Sequence, residues 1–537
     1  MDKNDVNLLI DPWLSVEKTQ GETQRLSFPD LFSAMERGEA ASFPALRPHQ
    51  AGPWHVFLVQ LAAHCLELSG EMQNLPAPCP EKPWTLLGQH SPDQWRAMLR
   101  LLTPGFPDDE PWRLVVEDLS KPAFMQPPVP EKSLTGFKGA MYAPDDLDLL
   151  ISTKNFDVKS SVVNQPFCED WVFTLISLQT NGGFMGRGNY GICRQNGGFG
   201  VRPIMTLQSS STPNGQWARD CRVILGHLDE ICGGLYDMDG KRLLWLEPWD
   251  GTSSLRLSQL HPLFIEVCRR VRSRLTPECF EMRKAPSQCI RVDAKDLSGA
   301  VNDPWIPVVA SGKEPKAFGS TLSYENMATI FGDDEIKMPL LLRFQKGIDH
   351  AADVKARCFA LMKGQGKTEG YVERIIPIKR VEGQIPLGGL TLRQAAQGMV
   401  AAAKDAEHRV LKVALARFLS CRKSGASSLL DWNAADVKNW LPSVVRSMDA
   451  EVNELFFNCL WTVCDKLENG KAAMDALQPW RDRMVDLVKK YFEIGVASLP
   501  CGAAQQSKAR AVAELVLSSL IRKNLSGGAE GNRKEES

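Results

Sequence analysis

The chain has 537 residues, of which 43% are hydrophobic and 24% are charged. This composition is ordinary for a globular protein with a buried core, and it excludes collagen-like, coiled-coil and wholly disordered chains. The formal net charge is −1, although the first 150 residues hold 12 basic and 21 acidic side chains. The charge alone therefore assigns no partner, but its uneven distribution is compatible with one anion-facing and one protein-facing surface.

No run of 18 apolar residues occurs, so we expect no membrane-spanning helix and no membrane partner. The first residues lack the apolar stretch of a secretory signal peptide. The 14 cysteines are scattered without a C-x-x-C pair, which favours buried, reduced thiols over disulfides or zinc ligands. These features favour the cytoplasm.

The first three quarters of the chain mix predicted strands, helices and proline-rich connections. In chain order the pattern first predicts two short strands over 7–16, a helix over 54–69 and irregular connections over 75–87 and 103–130. It next predicts a polar loop over 147–159, an apolar element over 171–180, a glycine-dense segment over 181–202 and a helix over 260–275. It then predicts short strands and turns over 290–345, a polar loop over 362–370 and a strand over 371–378.

The texture changes at Thr391, after which the chain is rich in alanine and other helix-forming residues. We predict four helical segments joined by short connections, over 391–423, 434–467, 472–494 and 505–525, with Pro442 kinking or dividing the second. Such segments favour an antiparallel four-helix bundle. The predicted class is α+β: a large mixed α/β N-terminal domain over 1–383, a C-terminal four-helix bundle over 384–525 and a solvated tail over 526–537.

The sharpest local feature is the glycine-rich stretch NGGFMGRGNYGICRQNGGFG at 181–200. Such density indicates special backbone angles or close approach by another chain. Gly186, Gly188 and Gly191 have the G-x-G-x-x-G spacing of nucleotide-binding turns, but no helix-forming run follows them. The stretch could equally be a glycine-rich hairpin with no ligand.

Two polar loops could also contact nucleic acid. The segment STKNFDVK at 152–159 pairs two lysines with an asparagine and an aromatic ring, which suits a DNA backbone and groove edge. The segment KGQGKTEG at 363–370 ends in Gly-Lys-Thr, but Leu361 stands where a P-loop requires its first glycine. Either loop could instead be an ordinary solvated surface turn.

Signatures of catalysis are missing from the sequence. The eight histidines show no metal-binding spacing, and no G-x-S-x-G nucleophile motif occurs. We therefore expect no enzyme activity and no cofactor. Two alternatives stay open, a nucleotide-binding enzyme using the glycine-rich segment 182–200 and a scaffold subunit that reads no DNA.

Several segments together resemble one family in order and length along nearly the whole chain. They are NLLIDPWLSV at 7–16, PAFMQPPVP at 122–130, VVNQP at 162–166, the glycine-rich stretch and the alanine-rich helices after 391. They resemble the large subunit of the type I-E CRISPR surveillance complex Cascade, the CasA family. The resemblance implies a non-catalytic subunit that recognises the protospacer-adjacent motif of double-stranded DNA from the minor groove and starts strand separation. Implied partners are double-stranded target DNA, the crRNA 5′ end, other Cascade subunits and a helicase-nuclease.

The resemblance also implies roles for particular residues. The glycine loop that enters the minor groove corresponds to Gly183, Phe184, Met185, Gly186 and Arg187, with Met185 where a glycine is usual. The first mobile loop, which contacts DNA and crRNA, corresponds to about 152–164 and includes Lys154, Asn155, Phe156, Lys159 and Asn164. The wedge that splits the first base pairs corresponds to Gln365, Gly366, Lys367 and Thr368.

Three further expectations follow from the resemblance. The family's minor-groove lysine corresponds to Lys295. Some relatives hold zinc on a cysteine cluster, but the matching stretch 245–260 contains no cysteine, so we predict no metal. The arginines at the end of the predicted helix could hold the displaced DNA strand electrostatically, and they are Arg269, Arg270, Arg272 and Arg274.

Overall fold

The structure is a computed structural model, and it forms two compact units. One consists of Met1–Leu322 and Glu335–Ile376, and the other of Ser323–Asp334 and Pro377–Ser537. The predicted boundary at residue 383 lies outside the described residues and stays a prediction. The structure describes residues 6–151, 166–183, 186–190, 203–210, 212–277, 279–297, 299–309, 322–333, 335–349, 354–364, 367–378, 387, 389–424, 430, 432–433, 435–498 and 503–526.

Small sheets and helices alternate in the first unit, which confirms the predicted α+β class. Its helices are α1 (Phe28–Glu36), α2 (Pro48–Leu68), α3 (Pro92–Leu101), α4 (Cys168–Asn181), α5 (Pro213–Gly226) and α6 (Leu228–Cys232). The strands are β1 (Leu14–Lys18), β2 (Thr23–Leu26), β3 (Ala40–Ser42), β4 (Lys138–Met141), β5 (Ile204–Gln208), β6 (Lys241–Leu243), β7 (Leu255–Arg256), β8 (Leu260–Ile265), β9 (Arg270–Leu275), β10 (Phe280–Ala285), β11 (Val292–Asp293), β12 (Val308–Val309), β13 (Ile336–Lys337), β14 (Val354–Gly364) and β15 (Lys367–Ile378).

The three-stranded sheets have the orders β2-β1-β3, β4-β10-β9 and β15-β14-β5. Two of them bear on the candidate site. In the second, β9 and β10 pair antiparallel from Phe280 opposite Leu275 to Ala285 opposite Arg270. In the third, β14 pairs antiparallel with β5, with Phe359 opposite Ile204.

Aromatic rings dominate the core of the first unit. Phe28, the first residue of α1, lies 5.0 Å from the ring of Trp13 and about 6 Å from those of Trp54, Phe57 and Phe124. Helix α2 passes through this cluster and is buried along almost its whole length. Burial on every face explains why the predicted helix over 54–69 is observed although it is only weakly amphipathic.

The segment 260–275, predicted as one helix, forms the strands β8 and β9 instead. Pro262 lacks the N–H that a helix interior needs. Arg270, Arg272 and Arg274 recur at every second residue, which is the period of a strand. The helix prediction is therefore wrong. It gave more weight to the apolar residues at the start of the segment than to the proline and the spacing of the arginines.

The polar loop predicted over 362–370 is mostly strand. β14 continues to Gly364 and β15 begins at Lys367, so the two residues between them, which the structure does not describe, are all that separates the strands. Pairing with a neighbouring strand overrides the weak local preference of glycine and lysine. A prediction based on local composition could not include that pairing.

The second unit is helical, and the four helical segments predicted after Thr391 are all observed. Pro442 lies inside the second of them without dividing it. One shorter helix of this unit, which begins after Ser323, was not predicted. The hydroxyl of Ser323 caps it by accepting a hydrogen bond from the N–H of Asn326 (3.3 Å). These elements are α7 (Tyr324–Gly332), α8 (Leu390–Lys404), a π-helical turn (Asp405–Leu411), α9 (Lys412–Ser424), α10 (Ala435–Glu468), α11 (Ala473–Ser498) and α12 (Ala503–Asn524).

The π-helical turn between α8 and α9 places an acid in the interior of the helical unit. Glu407 is 5% exposed, and its Oε1 accepts no hydrogen bond from a described residue. Burial raises the pKa of Glu407 to about 8, and the carboxyl group of Asp449, which shares a hydrogen bond with it, acts in the same direction. Glu325 adds negative charge, while Lys404 opposes the shift.

The raised pKa of Glu407 predicts a pH-dependent stability. The folded state holds this proton more tightly than the unfolded chain, so the free energy of unfolding should fall as pH rises from about 4.5 to about 8. The same pocket contains the Tyr324 phenol, and His408 follows on the helix with its Nε2 3.9 Å from the Glu407 carboxylate. Burial raises the pKa of the Tyr324 phenol above an ordinary value that already lies well above this range, so Glu407→Gln should abolish the dependence that Glu407 causes.

Urea unfolding followed at pH 6 and pH 8.5 tests this expectation. The substitution should make the helical unit more stable than wild type at pH 8.5 by at least about 1.4 kcal/mol, the equivalent of one pKa unit. His408→Gln serves as the control for the neighbouring imidazole and should leave the dependence in place. Equal slopes in the wild type and Glu407→Gln would contradict the assignment.

None of the helices that the structure describes is long and apolar enough to span a membrane.

Candidate nucleic-acid interface

The glycine-rich stretch begins at the C-terminal end of α4. The N–H of Gly182 caps this helix by donating to the carbonyl of Leu178 (3.1 Å). A Cβ atom at Gly182 would lie 2.5 Å from that carbonyl oxygen and 3.1 Å from Sγ of Cys268. Only glycine permits so close an approach, so the point at which the stretch begins is fixed by packing.

A buried amide holds the first residues of the stretch against the chain that precedes β9. Oε1 of Gln179 accepts hydrogen bonds from the N–H groups of Cys268 (3.1 Å) and Arg269 (2.8 Å). Its Nε2 donates to the carbonyls of Met125 (2.8 Å) and Arg269 (3.0 Å). The Arg269 guanidinium in turn donates to the carbonyl of Gly183. Gly183 is therefore held by Arg269, whose backbone Gln179 fixes in turn.

Residues 186–190 form a turn that a second anchor holds. Gly186 and Gly188 have φ angles of 97° and 84°, which favour glycine, and the N–H of Asn189 donates to the Gly186 carbonyl (3.0 Å). The carbonyl of Gly188 accepts from the N–H of Ser287 (2.9 Å), just after β10. A Cβ atom at Gly188 would contact the ring of Pro286 at 3.3 Å.

We call Gly183 together with residues 186–190 the glycine turn. A Cβ atom at Gly186 would meet nothing within 4 Å, and the Arg187 side chain is exposed. The turn thus presents the main chain of Gly186 and Gly188 on either side of one exposed cation, Arg187, and it rests on two fixed supports. Such a surface can approach the floor of a narrow groove, where backbone and arginine groups reach base edges and phosphates.

Most other predicted site residues lie outside the described residues. Lys295 begins a short 3₁₀ helix, Lys295–Leu297, and Lys367 begins β15, but their side chains are not described. Thr368 is 1% exposed within β15. The predicted residues outside the description are Lys154, Asn155, Phe156, Lys159, Asn164, Phe184, Met185, Gln365 and Gly366.

A charged cluster in the core supports the sheet that carries the predicted wedge. Arg219 of α5 is 1% exposed, and its guanidinium makes two 3.0 Å hydrogen bonds to the carboxylate of Asp349, which precedes β14. The same guanidinium donates to the carbonyls of Leu341 (2.7 Å) and Arg343 (3.0 Å). The cluster therefore ties α5 to the segment from which β14 emerges.

The carboxylate of Asp220 completes this cluster. It lies 2.8 Å from Nε2 of His55 and 3.0 Å from the Arg219 guanidinium, and it accepts from the Thr206 hydroxyl of β5. Burial opposes ionisation, but the hydrogen bond from His55 and the charge of Arg219 outweigh it and keep the pKa of Asp220 below its ordinary value. Both carboxylates of this cluster, those of Asp220 and Asp349, are thus buried and paired with the Arg219 cation.

The arginines of β9 differ from expectation. Arg272 is fully buried and donates to the carbonyls of Val116, Asp118 and Lys121, so it cannot hold a displaced strand. Burial lowers the pKa of Arg272 to about 10, and the negative charge of Asp118 opposes this shift only in part. Arg269 serves the glycine turn from within the fold. The predicted electrostatic role is therefore wrong for Arg272, because its side chain is buried and its guanidinium is committed to backbone carbonyls.

One group of described residues has the spacing of a metal site. The ligand atoms of His64, Glu67 and His261 lie within 4.8 Å of one another. The guanidinium of Arg242 donates to both carboxylate oxygens of Glu67 (2.7 and 3.1 Å) and to Nδ1 of His64 (2.9 Å). The N–H of Leu263 donates to Nδ1 of His261 (3.1 Å), so this ring carries its proton on Nε2, which lies 3.2 Å from Glu67. A protonated Nε2 cannot ligate a metal, and Arg242 already supplies the cation.

This network predicts the response to metals. Neither EDTA nor added Zn²⁺ should move the Tm by more than about 1 °C, because binding a metal would require displacing Arg242 and moving a proton. Arg242→Met should lower the free energy of unfolding by about 2 kcal/mol, since it leaves the Glu67 carboxylate without its main partner. A rise of several degrees with Zn²⁺, measured by scanning calorimetry, would show that the cluster is a metal site.

Comparison with known proteins bears on the fold. No family model and no curated protein matches the chain. Among solved structures, CasA (Cse1) of Thermus thermophilus matches with a TM-score of 0.60 and 14% identity, over 97% of this chain and 100% of that one. Cse1 of Thermobifida fusca matches with 0.60 and 13%, over 97% and 99%. Cse1 of Acidimicrobium ferrooxidans matches with 0.58 and 14%, over 97% and 98%.

These matches span nearly the whole of this chain and of each solved structure, so they identify the fold of this α+β protein. The chain has the fold of the Cse1/CasA proteins, so the resemblance seen in the sequence is confirmed for the fold. A chain described as a CRISPR RNA-guided surveillance complex also matches, with a TM-score of 0.56 and 13% identity.

The residues that anchor the glycine turn were missed from the sequence. Gln179 lies within an apolar helix, and nothing in the sequence distinguishes its amide from any other polar residue in such a helix. Arg269 was assigned to a helix that does not exist. The only available signal was the period-two spacing of the arginines, which places the residue before β9 next to the sheet.

Proposed function

We propose that this chain is the non-catalytic DNA-recognition subunit of a type I-E CRISPR surveillance complex. The observation that carries the proposal is the Cse1 fold, shared over 97% of the chain. Its partners would be the other Cascade subunits, double-stranded target DNA, the 5′ end of the crRNA, contacted by residues 152–164, and a helicase-nuclease that it recruits.

In this function the glycine turn reads the protospacer-adjacent motif from the minor groove. The groove presents a degenerate pattern that distinguishes mainly A·T from G·C pairs, so a backbone with one arginine is sufficient for a short motif. The anchors provided by Gln179 and the Ser287 N–H limit the conformational entropy that binding costs. Lys295 is proposed as a second cation in the same groove.

Strand separation is assigned to the connection between β14 and β15. Opening the first base steps costs a few kcal/mol, which contacts with the distorted DNA offset. A wedge needs a rigid support, and the buried Arg219–Asp349 pair supplies one at the base of β14. Guide RNA pairing then reads the remaining sequence and forms the R-loop.

The part of the nucleotide-binding alternative that would use the loop 363–370 gains no support from the geometry. A P-loop needs a helix directly after its Gly-Lys-Thr sequence. Here Lys367 and Thr368 begin β15, which continues as a strand to Ile378. A strand therefore stands where this loop would need a phosphate-binding helix N-terminus, whereas most of the glycine-rich segment 182–200 lies outside the described residues.

Reconstitution tests the proposed function. A guide-loaded complex is assembled with and without this chain and mixed with target duplexes whose flanking trinucleotide is randomised. The chain should raise affinity at least tenfold for a small subset of flanks and leave the others unchanged. Affinity that is equal for every flank, or that does not depend on the chain, would refute DNA recognition.

A further inference from the structure

The helical unit contains a surface groove that the DNA-reading function does not use. It has a volume of about 460 Å³ and lies between the start of α9 and the first turns of α10. Its lining residues are His408, Lys412, Trp432, Val437, Lys438, Leu441, Pro442, Val445 and Arg446.

The floor of the groove is aliphatic and its rim is basic. Val437, Leu441, Pro442 and Val445 line the floor along one face of α10. The rim carries four basic side chains, and no carboxylate is among the described lining residues. The charged members of the rim are His408, Lys412, Lys438 and Arg446.

Among the described residues of the unit, Lys412, Lys438 and Arg446 have no acidic partner, whereas Nε2 of His408 lies 3.9 Å from the Glu407 carboxylate. The ammonium group of Lys412 lies 5.7 Å from the centre of the Trp432 ring, and the Nε–H of Arg446 donates to the carbonyl of Pro442 (3.1 Å). Trp432 is 42% exposed. Positive charge and exposed apolar surface therefore lie side by side in the groove. This combination is typical of an interaction surface.

From this combination we infer that the groove binds an acidic amphipathic helix of a partner protein. An apolar ridge of leucine-type side chains would fill the floor, as in other helix-in-groove complexes. Lys438 and Arg446 are eight residues apart on α10, which is about 12 Å along the axis. Carboxylates seven or eight residues apart on a parallel or antiparallel partner helix would match that spacing.

A nucleic-acid strand fits the groove less well. Bases bind single-strand sites by stacking on open aromatic faces. The floor here has four aliphatic side chains, and the single aromatic ring, Trp432, already has the Lys412 cation over it. The inference rests on the helical unit alone and does not depend on the proposed recognition of DNA.

The test uses the full chain and a fluorescein-labelled 18-residue probe of alanine, leucine and glutamate. Leucines recur every third or fourth residue along one face of the probe, with glutamates on both flanks. We expect saturable binding by fluorescence anisotropy at 50 mM salt, with a micromolar Kd that weakens as salt rises. The double variant Lys438→Glu, Arg446→Glu should weaken it at least tenfold.

A matched control carries the same change in charge elsewhere on the unit. Lys489 and Lys508 are exposed on α11 and α12, so Lys489→Glu, Lys508→Glu should keep the Kd within twofold of wild type. Trp432→Ala, which removes the exposed ring of the groove together with its contact to the Lys412 ammonium, should weaken binding severalfold. Equal loss in both double variants, no saturable binding, or displacement of the probe by a thymidine 20-mer that depends on Lys438 and Arg446 would overturn the inference.

Discussion

Replacing Gly186 by valine is expected to weaken motif-dependent DNA binding at least tenfold while leaving assembly with the other subunits intact. The φ angle of 97° is one that a β-branched residue adopts only at a cost of about 1–3 kcal/mol. The neighbouring anchors hold the chain, so the strain cannot relax without moving the turn. Electrophoretic mobility shift with the reconstituted complex measures the loss.

The control for this variant is Gly470→Val in the helical unit. Gly470 also has a positive φ, 77°, and a Cβ atom there would likewise meet nothing within 4 Å. The two substitutions should therefore destabilise the protein to a similar extent, and only Gly186→Val should impair DNA binding. Equal binding by both variants would remove the glycine turn from the mechanism.

Arg219→Met is expected to lower the free energy of unfolding by about 3–5 kcal/mol. The substitution keeps the length of the side chain but leaves the carboxylates of Asp349 and Asp220 buried beside an apolar group. Urea unfolding monitored by circular dichroism measures the change. Addition of Asp349→Leu to the same variant should recover part of the loss, because one of the buried charges is then removed.

Arg222→Met is the matched control on the same helix. Arg222 is only partly buried and donates to the carbonyl of Leu86 (2.8 Å). Its loss should cost about 1 kcal/mol, the contribution of a single hydrogen bond. If the two methionine variants are equally stable, the buried cluster does not provide the support that we assign to it.

The helical half of the fold could be predicted from sequence because its signals are local. Alanine-rich segments bounded by glycine and proline defined the helices after Thr391 almost to their observed ends. The strands β8 and β9 were not predicted, because the apolar run of β8, which packs against α2, was given more weight than Pro262 and the strand-like spacing of the arginines in β9. Whether such a run folds as helix or strand depends on partners that are distant in sequence.

The candidate site was only partly predictable for a similar reason. Glycine density identified the turn, since positive φ angles and close approach leave a compositional trace. Gln179 and Arg219 act through hydrogen bonds to residues that include ones about 90 and 130 positions away. No motif records such pairings, and their roles emerge only when the fold brings the partners together.

Hydrogen–deuterium exchange of the guide-loaded complex, with and without target duplex, tests the central claim most directly. If the glycine turn lies in the minor groove, amides within residues 186–190 should exchange at least tenfold more slowly when the duplex is bound. Unchanged exchange in this segment, while other parts of the chain become protected by the same duplex, would contradict the account.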